Sequence, residues 1–306
     1  MARHLFIINP AAGKSDQSAL LAEEIRSVFA PRGLEYSIEL TKGAGHACEF
    51  ARAAASLGEE TIVYACGGDG TLGEAAQGLA GSKSCALAPV PVGSGNDFVR
   101  FFGENAAKKF RSIKELSVGD VRTIDLLRVD GRVCLNIASA GFDAAVCSLM
   151  PRYKRLPFVG GPGAYLLSLA HGFFTSVKNR YAFEIDGRFL PPGEYLFAVA
   201  ANGRFYGGGF CAAPLAELSD GQIDLVLIPS VPRMQMLGMI DCYRRGKHLD
   251  TYDFIHFERC RRVRILADEP VLMNLDGEIL RLCSPTVSVE PGALRLVIPR
   301  EPDENS

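Results

Sequence analysis

The sequence predicts two domains: an α/β domain with a parallel sheet covered by helices over residues 1–125, and a mainly β domain over residues 126–306. Three observations predict this. Short apolar runs alternate with helical stretches up to about residue 125, as in parallel sheets. After Asp125 the texture changes to strand-like segments punctuated by Gly and Pro. And 306 residues, 48% hydrophobic and 22% charged, can bury a sizeable core and exceed what one domain usually holds.

In the first domain Leu5–Asn9, Glu35–Leu40, Thr61–Cys66 and Cys85–Val92 read as strands, being short apolar runs bounded by turn residues. Asp16–Ala30 and Gly45–Leu57 carry apolar residues at helical spacing, and Thr71–Leu79 follows a glycine turn as a third helix. Each loop that leaves a strand then lies on one edge of the sheet, where α/β proteins bind ligands. In the second domain the strand candidates are Val133–Ala138, Tyr181–Ile185, Tyr195–Ala200, Ile223–Ile228, Val263–Leu266 and Leu294–Ile298, the last of them free to return to the first domain. Gly163–Lys178 and Arg233–Gly246 read as helices, and Glu301–Ser306 as a frayed tail.

Lys plus Arg number 33 against 35 Asp plus Glu, so no global basic field draws the chain to nucleic acid or to an anionic membrane. Any lipid contact is expected to be local. Nine scattered cysteines without a CxxC pair read as free thiols of a reducing cytoplasm, with no structural zinc. The apolar run at the start ends at Asn9-Pro10, too short for a signal peptide or a membrane span.

Cys66-Gly67-Gly68-Asp69-Gly70-Thr71 lies between a strand and a helix, where converging backbone N–H groups can hold an anion. The plain alternative is a tight turn. An Asp among those glycines favours phosphate, because a carboxylate beside a polyphosphate is repelled unless both face a cation. Pro91-Val92-Gly93-Ser94-Gly95-Asn96-Asp97 and Asn9-Pro10-Ala11-Ala12-Gly13-Lys14 end two other strands of the same sheet. Two rival motifs fail. Gly13-Lys14-Ser15 resembles the end of a Walker A loop, but the required first glycine falls on Ile8 inside a strand. Gly68-Asp69-Gly70-Thr71-Leu72-Gly73 fits G-x-G-x-x-G, yet the next strand ends in Val90-Pro91-Val92 with no acid for a ribose.

These loops, with Thr41-Lys42-Gly43-Ala44-Gly45-His46-Ala47, Arg122-x-x-Asp125, Asn136 to Asp143, Asn202-Gly203, Gly207-Gly208-Gly209, Ala213-Pro214, Asp220-Gly221 and Asp276-Gly277-Glu278, resemble the diacylglycerol kinase catalytic-domain family. The likeness is to its bacterial lipid-kinase branch, related to sphingosine and ceramide kinases, and it runs through nearly the whole chain. Gly67 to Thr71 alone is shared with NAD kinases and phosphofructokinases, so the ordered set carries the resemblance. Ser94 departs from the usual Thr but keeps a hydroxyl.

The resemblance implies a NAD-kinase-like α/β domain, a β-sandwich domain, and ATP in the cleft between them. It puts Asn9, Thr41, Gly67, Gly68, Asp69, Gly70, Thr71, Ser94, Gly95 and Asn96 at the nucleotide, and Asp220 at a structural Mg²⁺ with main-chain oxygens near Glu217 and Gln222. It makes Glu278 the general base, with Asp69 and Asp125 as further catalytic carboxylates. By themselves Asp276-Gly277 and Asp220-Gly221 read as turns, Asp125 as a strand cap, and His46 as surface. Arg152-Tyr153-Lys154-Arg155 and Arg259 to Arg264 are local basic runs, solvated or facing anionic headgroups.

The leading expectation is an ATP- and Mg²⁺-dependent lipid kinase, cytoplasmic and transiently peripheral to the membrane. Phe98, Phe101, Phe102, Phe142, Phe158, Tyr165, Phe173 and Phe174 are apolar enough to line an acyl chain. The alternatives are a kinase of a soluble hydroxyl compound, NAD included, and a lipid-binding regulatory protein without turnover. The particular lipid stays open, and so does oligomeric state, a homodimer included.

Overall fold

A computed structural model describes residues 2–93, 95–156, 161–175 and 178–300. Ser94, Phe158 and Glu301–Ser306 lie outside the described residues, as do the side chains of Lys154 and Tyr165. The chain begins β1 (Arg3–Ile8), α1 (Ser18–Phe29), β2 (Tyr36–Leu40), α2 (His46–Ser56), β3 (Thr61–Gly67), α3 (Asp69–Leu79) and β4 (Cys85–Pro91). A 3-10 helix (Phe98–Phe102), α4 (Ala106–Arg111), α5 (Ile113–Leu116) and β5 (Asp120–Val129) follow. Next come β6 (Arg132–Cys134), β7 (Ile137–Gly141), α6 (Phe142–Lys154), α7 (Gly161–Thr175), β8 (Asn179–Ile185), β9 (Arg188–Ala201), β10 (Phe205–Tyr206) and β11 (Phe210–Cys211). The remainder is β12 (Ile223–Pro229), α8 (Arg233–Arg244), α9 (His248–Thr251), β13 (His256–Cys260), β14 (Arg262–Leu266), β15 (Val271–Leu275), β16 (Glu278–Leu282) and β17 (Thr286–Ile298).

The first compact unit is the chain up to Leu126 together with the stretch from Pro291. Its sheet runs β2-β1-β3-β4-β17 with every neighbouring pair parallel. Strands buried on both faces must be apolar throughout, which is why β3 and β4 are nearly unbroken apolar runs. In the core Phe6 stacks on Tyr64 with ring centroids 4.1 Å apart, and Phe29 packs edge-on against both. Phe98, Phe102 and Phe110 form a second aromatic cluster with centroids 5.1–6.1 Å apart, and Phe98 is buried. The 3-10 helix turns Phe98 into the first unit's own core and leaves Phe101 and Phe102 half-buried, packed on one another.

The second unit, Leu127–Glu290, is a β-sandwich built almost wholly of antiparallel pairs. Strands β16-β15-β7-β9-β8-β14 pair in that order; β12 also pairs β9, and β13 pairs β12. Alternate residues of β9 serve two cores: Ala198 and Ala200 enter the inter-strand core with Phe183 and Leu225, while Val199 and Ala201 face Phe142, Met236 and Met239. Asp130-Gly131, Asp186-Gly187 and Asp276-Gly277 close two-residue hairpins with positive φ at both positions, the geometry that Asp-Gly favours.

The expected strand Val133–Ala138 is two strands, β6 and β7, because the amides of Leu135, Asn136 and Ile137 turn aside to bond the Asp276 carboxylate at 2.6–3.1 Å. Helix α6 and strands β5, β13, β15 and β16 are additions to the elements expected from sequence. All nine cysteines are free. Among the described residues no helix is long and apolar enough to cross a membrane.

Candidate functional site

Strand β3 runs directly into α3: Gly67 ends the strand, Gly68 is extended, and Asp69 opens the helix. Residues of the first helical turn have no intrahelical acceptor for their N–H groups, so they are available to an anion on the helix axis. Gly67 must be glycine, since a Cβ there would stand 2.3 Å from Thr71 Oγ1. At Gly93 a Cβ would stand 2.5 Å from the Cα of Gly68, so the second loop touches the first backbone to backbone. Gly67 O accepts from Val92 N at 2.9 Å and Gly93 N at 3.2 Å. Asn9 brings in the third loop: its Nδ2 donates to Thr71 Oγ1 at 2.9 Å and its Oδ1 accepts from Ala11 N. Thus Asn9, Gly67, Gly68, Asp69, Gly70, Thr71, Gly95 and Asn96 gather on one edge of the sheet.

Asp69 Oδ1 accepts from Phe98 N at 3.3 Å, and its Oδ2 lies 2.9 Å from where a Gly95 Cβ would stand. Asp97 Oδ2 approaches that same point at 4.0 Å, so two carboxylates flank Gly95. In the sequence Asp97 stands within its motif without a role of its own; in the fold it is buried and pairs with Arg100 at 3.2 Å. Asn96 holds φ 53° and donates from Nδ2 to Gly93 O.

Two other expected residues are held by contacts of their own. Thr41 is fixed at the end of β2 by its N–H to Ile8 O. The N-terminus of α2 beside it is already occupied, because Glu74 accepts from Gly45 N and Ala47 N at 2.8 and 3.2 Å. Asp125 is buried on β5, where Oδ1 accepts from Gly292 N at 2.8 Å and clasps two strands of the first unit.

In the second unit Glu278 follows the Asp276-Gly277 turn. Its carboxylate is largely exposed and meets Arg132 at 3.1 Å. Asp276 beneath it is structural, fixed by three backbone amides; its burial pushes its pKa up against those hydrogen bonds. Asn274 Oδ1 accepts from Gly277 N and completes the turn.

For a divalent cation near Asp220 the donors fit only in part. Asp220 Oδ1 accepts from Gln222 N as an ordinary turn, and the Glu217 side chain is committed to Arg204. Behind them Asp224 Oδ2 is buried without a hydrogen bond, and Asp220 and Glu217 add to the burial that pushes the Asp224 pKa up. The one unbonded oxygen of Asp224 can face a cation, although the other oxygen of the carboxylate is paired with Arg259. Yet among the described residues no three His, Cys, Asp or Glu side chains converge on one point, so carbonyl oxygens or water would have to complete any shell. The nearby basic run is partly spoken for: Arg259 pairs with Asp224 at 3.0 Å.

The second unit also holds an apolar cavity of about 160 Å³ between its sheet and α6, α7 and α8. Phe142, Val146, Leu169, Phe197, Met236 and Met239 supply its walls, and Asp143, Cys147 and Asn274 its polar spots. Asp143 Oδ2 accepts from Ser139 Oγ, while Oδ1 is shut from water; burial pushes the pKa of this carboxyl up. Of the described aromatics expected at an acyl chain, Phe142 stands in the cavity wall; the rest of the lining is spread over residues 142 to 274 and so left no local signal in the sequence.

Comparison with known proteins agrees with this geometry. Residues 3–129 match the family described as "Diacylglycerol kinase catalytic domain", and residues 136–298 match "YegS C-terminal NAD kinase beta sandwich-like domain". A "Probable lipid kinase YegS-like" of Pseudomonas aeruginosa is 34% identical, with 90% of each chain covered. A "Diacylglycerol kinase" of Bacillus subtilis is 30% identical over 91% of this chain and 90% of its own. The crystal structure of a diacylglycerol kinase from Bacillus anthracis superposes with a TM-score of 0.68 at 20% identity, over 97% of this chain and 96% of that one, and so shares the fold.

Proposed function

The chain belongs to the diacylglycerol kinase catalytic-domain family of lipid kinases, and on that premise we propose that it transfers the γ-phosphoryl group of ATP, with Mg²⁺, to the hydroxyl of a diacylglycerol or a related lipid. The observation that carries the reading is the loop from Gly67 to Thr71, where a helix start, a glycine (Gly67) without room for a side chain and an Asp carboxylate meet. The N–H groups of that turn donate to phosphate oxygens, and the Asn9–Thr71 hydrogen bond keeps the loop from opening. When bound, Mg²⁺ supplies the positive charge that lets Asp69 and Asp97 sit beside a polyphosphate.

Phosphoryl transfer asks little covalent chemistry of a protein beyond position and charge, so what remains is the acceptor's proton. Glu278 takes it. Its side chain is exposed at the start of β16, next to the Asp276-Gly277 turn, and meets Arg132 at 3.1 Å. The apolar cavity then takes part of an acyl chain, which favours a lipid over NAD or a sugar, as neither offers a chain to fill it. The enzyme works from the cytoplasm by transient contact with a membrane.

Incubation with labelled ATP, Mg²⁺ and a total lipid extract should yield one labelled lipid class. Label that appears only in NAD or sugar phosphates would overturn the reading.

A further inference from the structure

Among the described residues, two helices of the second unit have exposed apolar faces. On α7, Leu167 and Phe174 are 40% and 69% exposed and lie seven residues apart, hence on one side. On α8, Met234, Leu237 and Ile240 are 77%, 47% and 36% exposed at intervals of three. The helices are tied together, for Arg233 at the start of α8 donates to the carbonyls of Phe173 and Phe174, each at 2.9 Å. Their inner residues Leu169, Met236 and Met239 line the cavity, and Ile240 belongs to both faces. The same two helices thus form a wall whose inside is an apolar cavity and whose outside is an exposed apolar strip.

The charge around that strip differs from the rest of the molecule. Residues 142–175 and 233–247 contain seven Lys and Arg against two Asp, although the whole chain carries a net charge of −2. One of the two acids, Asp143, is turned to the cavity; the other, Asp241, pairs with Arg245 at 2.9 Å and Arg244 at 3.4 Å, so at the far end of α8 the excess cations are Lys247 and one arginine. Arg152 and Arg155 flank Tyr153, whose hydroxyl meets His171 of α7 at 2.8 Å; Arg244, Arg245 and Lys247 lie at the far end of α8. All five are exposed. Apolar side chains with cations at both ends match the interface of an anionic bilayer, where rings and methyls sink below the headgroups and guanidinium groups meet phosphates.

We infer that the α7–α8 face docks on the surface of an anionic phospholipid bilayer and passes the acceptor lipid inward past Ile240 into the cavity behind it. This rests on the lipid-kinase reading for the identity of what passes, but not for the docking. The cavity takes part of an acyl chain, and the remainder of the lipid stays in the bilayer. A bilayer fits better than a protein partner because the exposed apolar strip is bordered by exposed cations, the pattern of a helix lying in an anionic lipid interface.

The chain has no Trp, so Leu237→Trp introduces a single probe. With vesicles of phosphatidylcholine and phosphatidylglycerol its emission should shift to the blue and be quenched by brominated acyl chains. Leu57→Trp, on an exposed site of the first unit, should do neither. Leu237→Glu with Phe174→Glu should lower partitioning onto those vesicles at least tenfold. Arg244→Gln with Arg245→Gln should lower it by about fivefold per cation, and only when anionic lipid is present. The glutamate variant should still phosphorylate a short-chain diacylglycerol that dissolves as monomers. Unshifted emission from the Leu237→Trp variant, wild-type partitioning of the glutamate variant, or a dimer that buries Leu237 in place of vesicle binding overturns the docking. Vesicle binding as described, with no lipid phosphorylated by the parent chain, leaves the docking standing and overturns the kinase reading.

Discussion

At the scale of single residues, Asp69 carries the most. Its oxygens lie between Phe98 N and the backbone of Gly95, with Asp97 on the far side, so a change that keeps the shape and removes the charge isolates its electrostatic role. Asp69→Asn should lower turnover by about a hundredfold or more in steady-state assays. Near-normal turnover would reduce this acid to a turn residue. Glu278→Gln should abolish lipid phosphorylation, a loss of ~10²–10⁴-fold, while the affinity for ATP stays close to that of the parent, because the base faces the acceptor. Weakened ATP binding measured by calorimetry would contradict that assignment. Most of these residues were legible in the sequence, because phosphate loops are short and local. Asp97 was visible in its motif, but only the folded loop shows its carboxylate converging with that of Asp69 on Gly95.

Among elements, legibility followed burial. Strands β3 and β4 announced themselves as unbroken apolar runs, whereas β5 begins with four exposed residues and β16 is a short strand with two exposed charges, so neither has an apolar signature. Helix α6 hid behind Pro151 and the glycine, Gly141, that precedes it. The packing of α6 on α7 depends on Gly172, where a Cβ would stand 2.8 Å from Val146 Cγ2 and 3.2 Å from Phe142 Cε2, both cavity residues. Gly172→Ile should therefore push the helices apart and raise KM for the lipid severalfold, with KM for ATP unchanged. If both constants stay at parent values, the cavity is not the acceptor site.

For the whole molecule, two histidines set the response to acid. Burial lowers the pKa of His4 in the first unit and of His248 in the second to about 4. The unfolded chain binds these protons near pH 6.5 and the folded chain does not, so the stability they add is complete above 6.5 and is lost as the pH falls towards 4. The buried carboxyls of Asp143, Asp224 and Asp276 act in the opposite sense, taking up protons earlier when folded. Comparison with a variant separates the two. Between pH 7 and 5 the parent's Tm should fall further than that of His4→Phe, by the equivalent of at most roughly 2 kcal/mol. Parallel curves would show that His4 does not titrate in this window. A different consequence follows from β17, whose latter half completes the parallel sheet beside β4 although Leu127–Glu290 intervene in the chain. During translation the edge of β4 emerges first and waits for its neighbour while a whole sandwich is synthesised, on the order of ten seconds or more at ~5–20 residues per second. In that interval the nascent chain offers an unpaired apolar strand edge, which makes this part of the protein the natural client of a ribosome-bound chaperone.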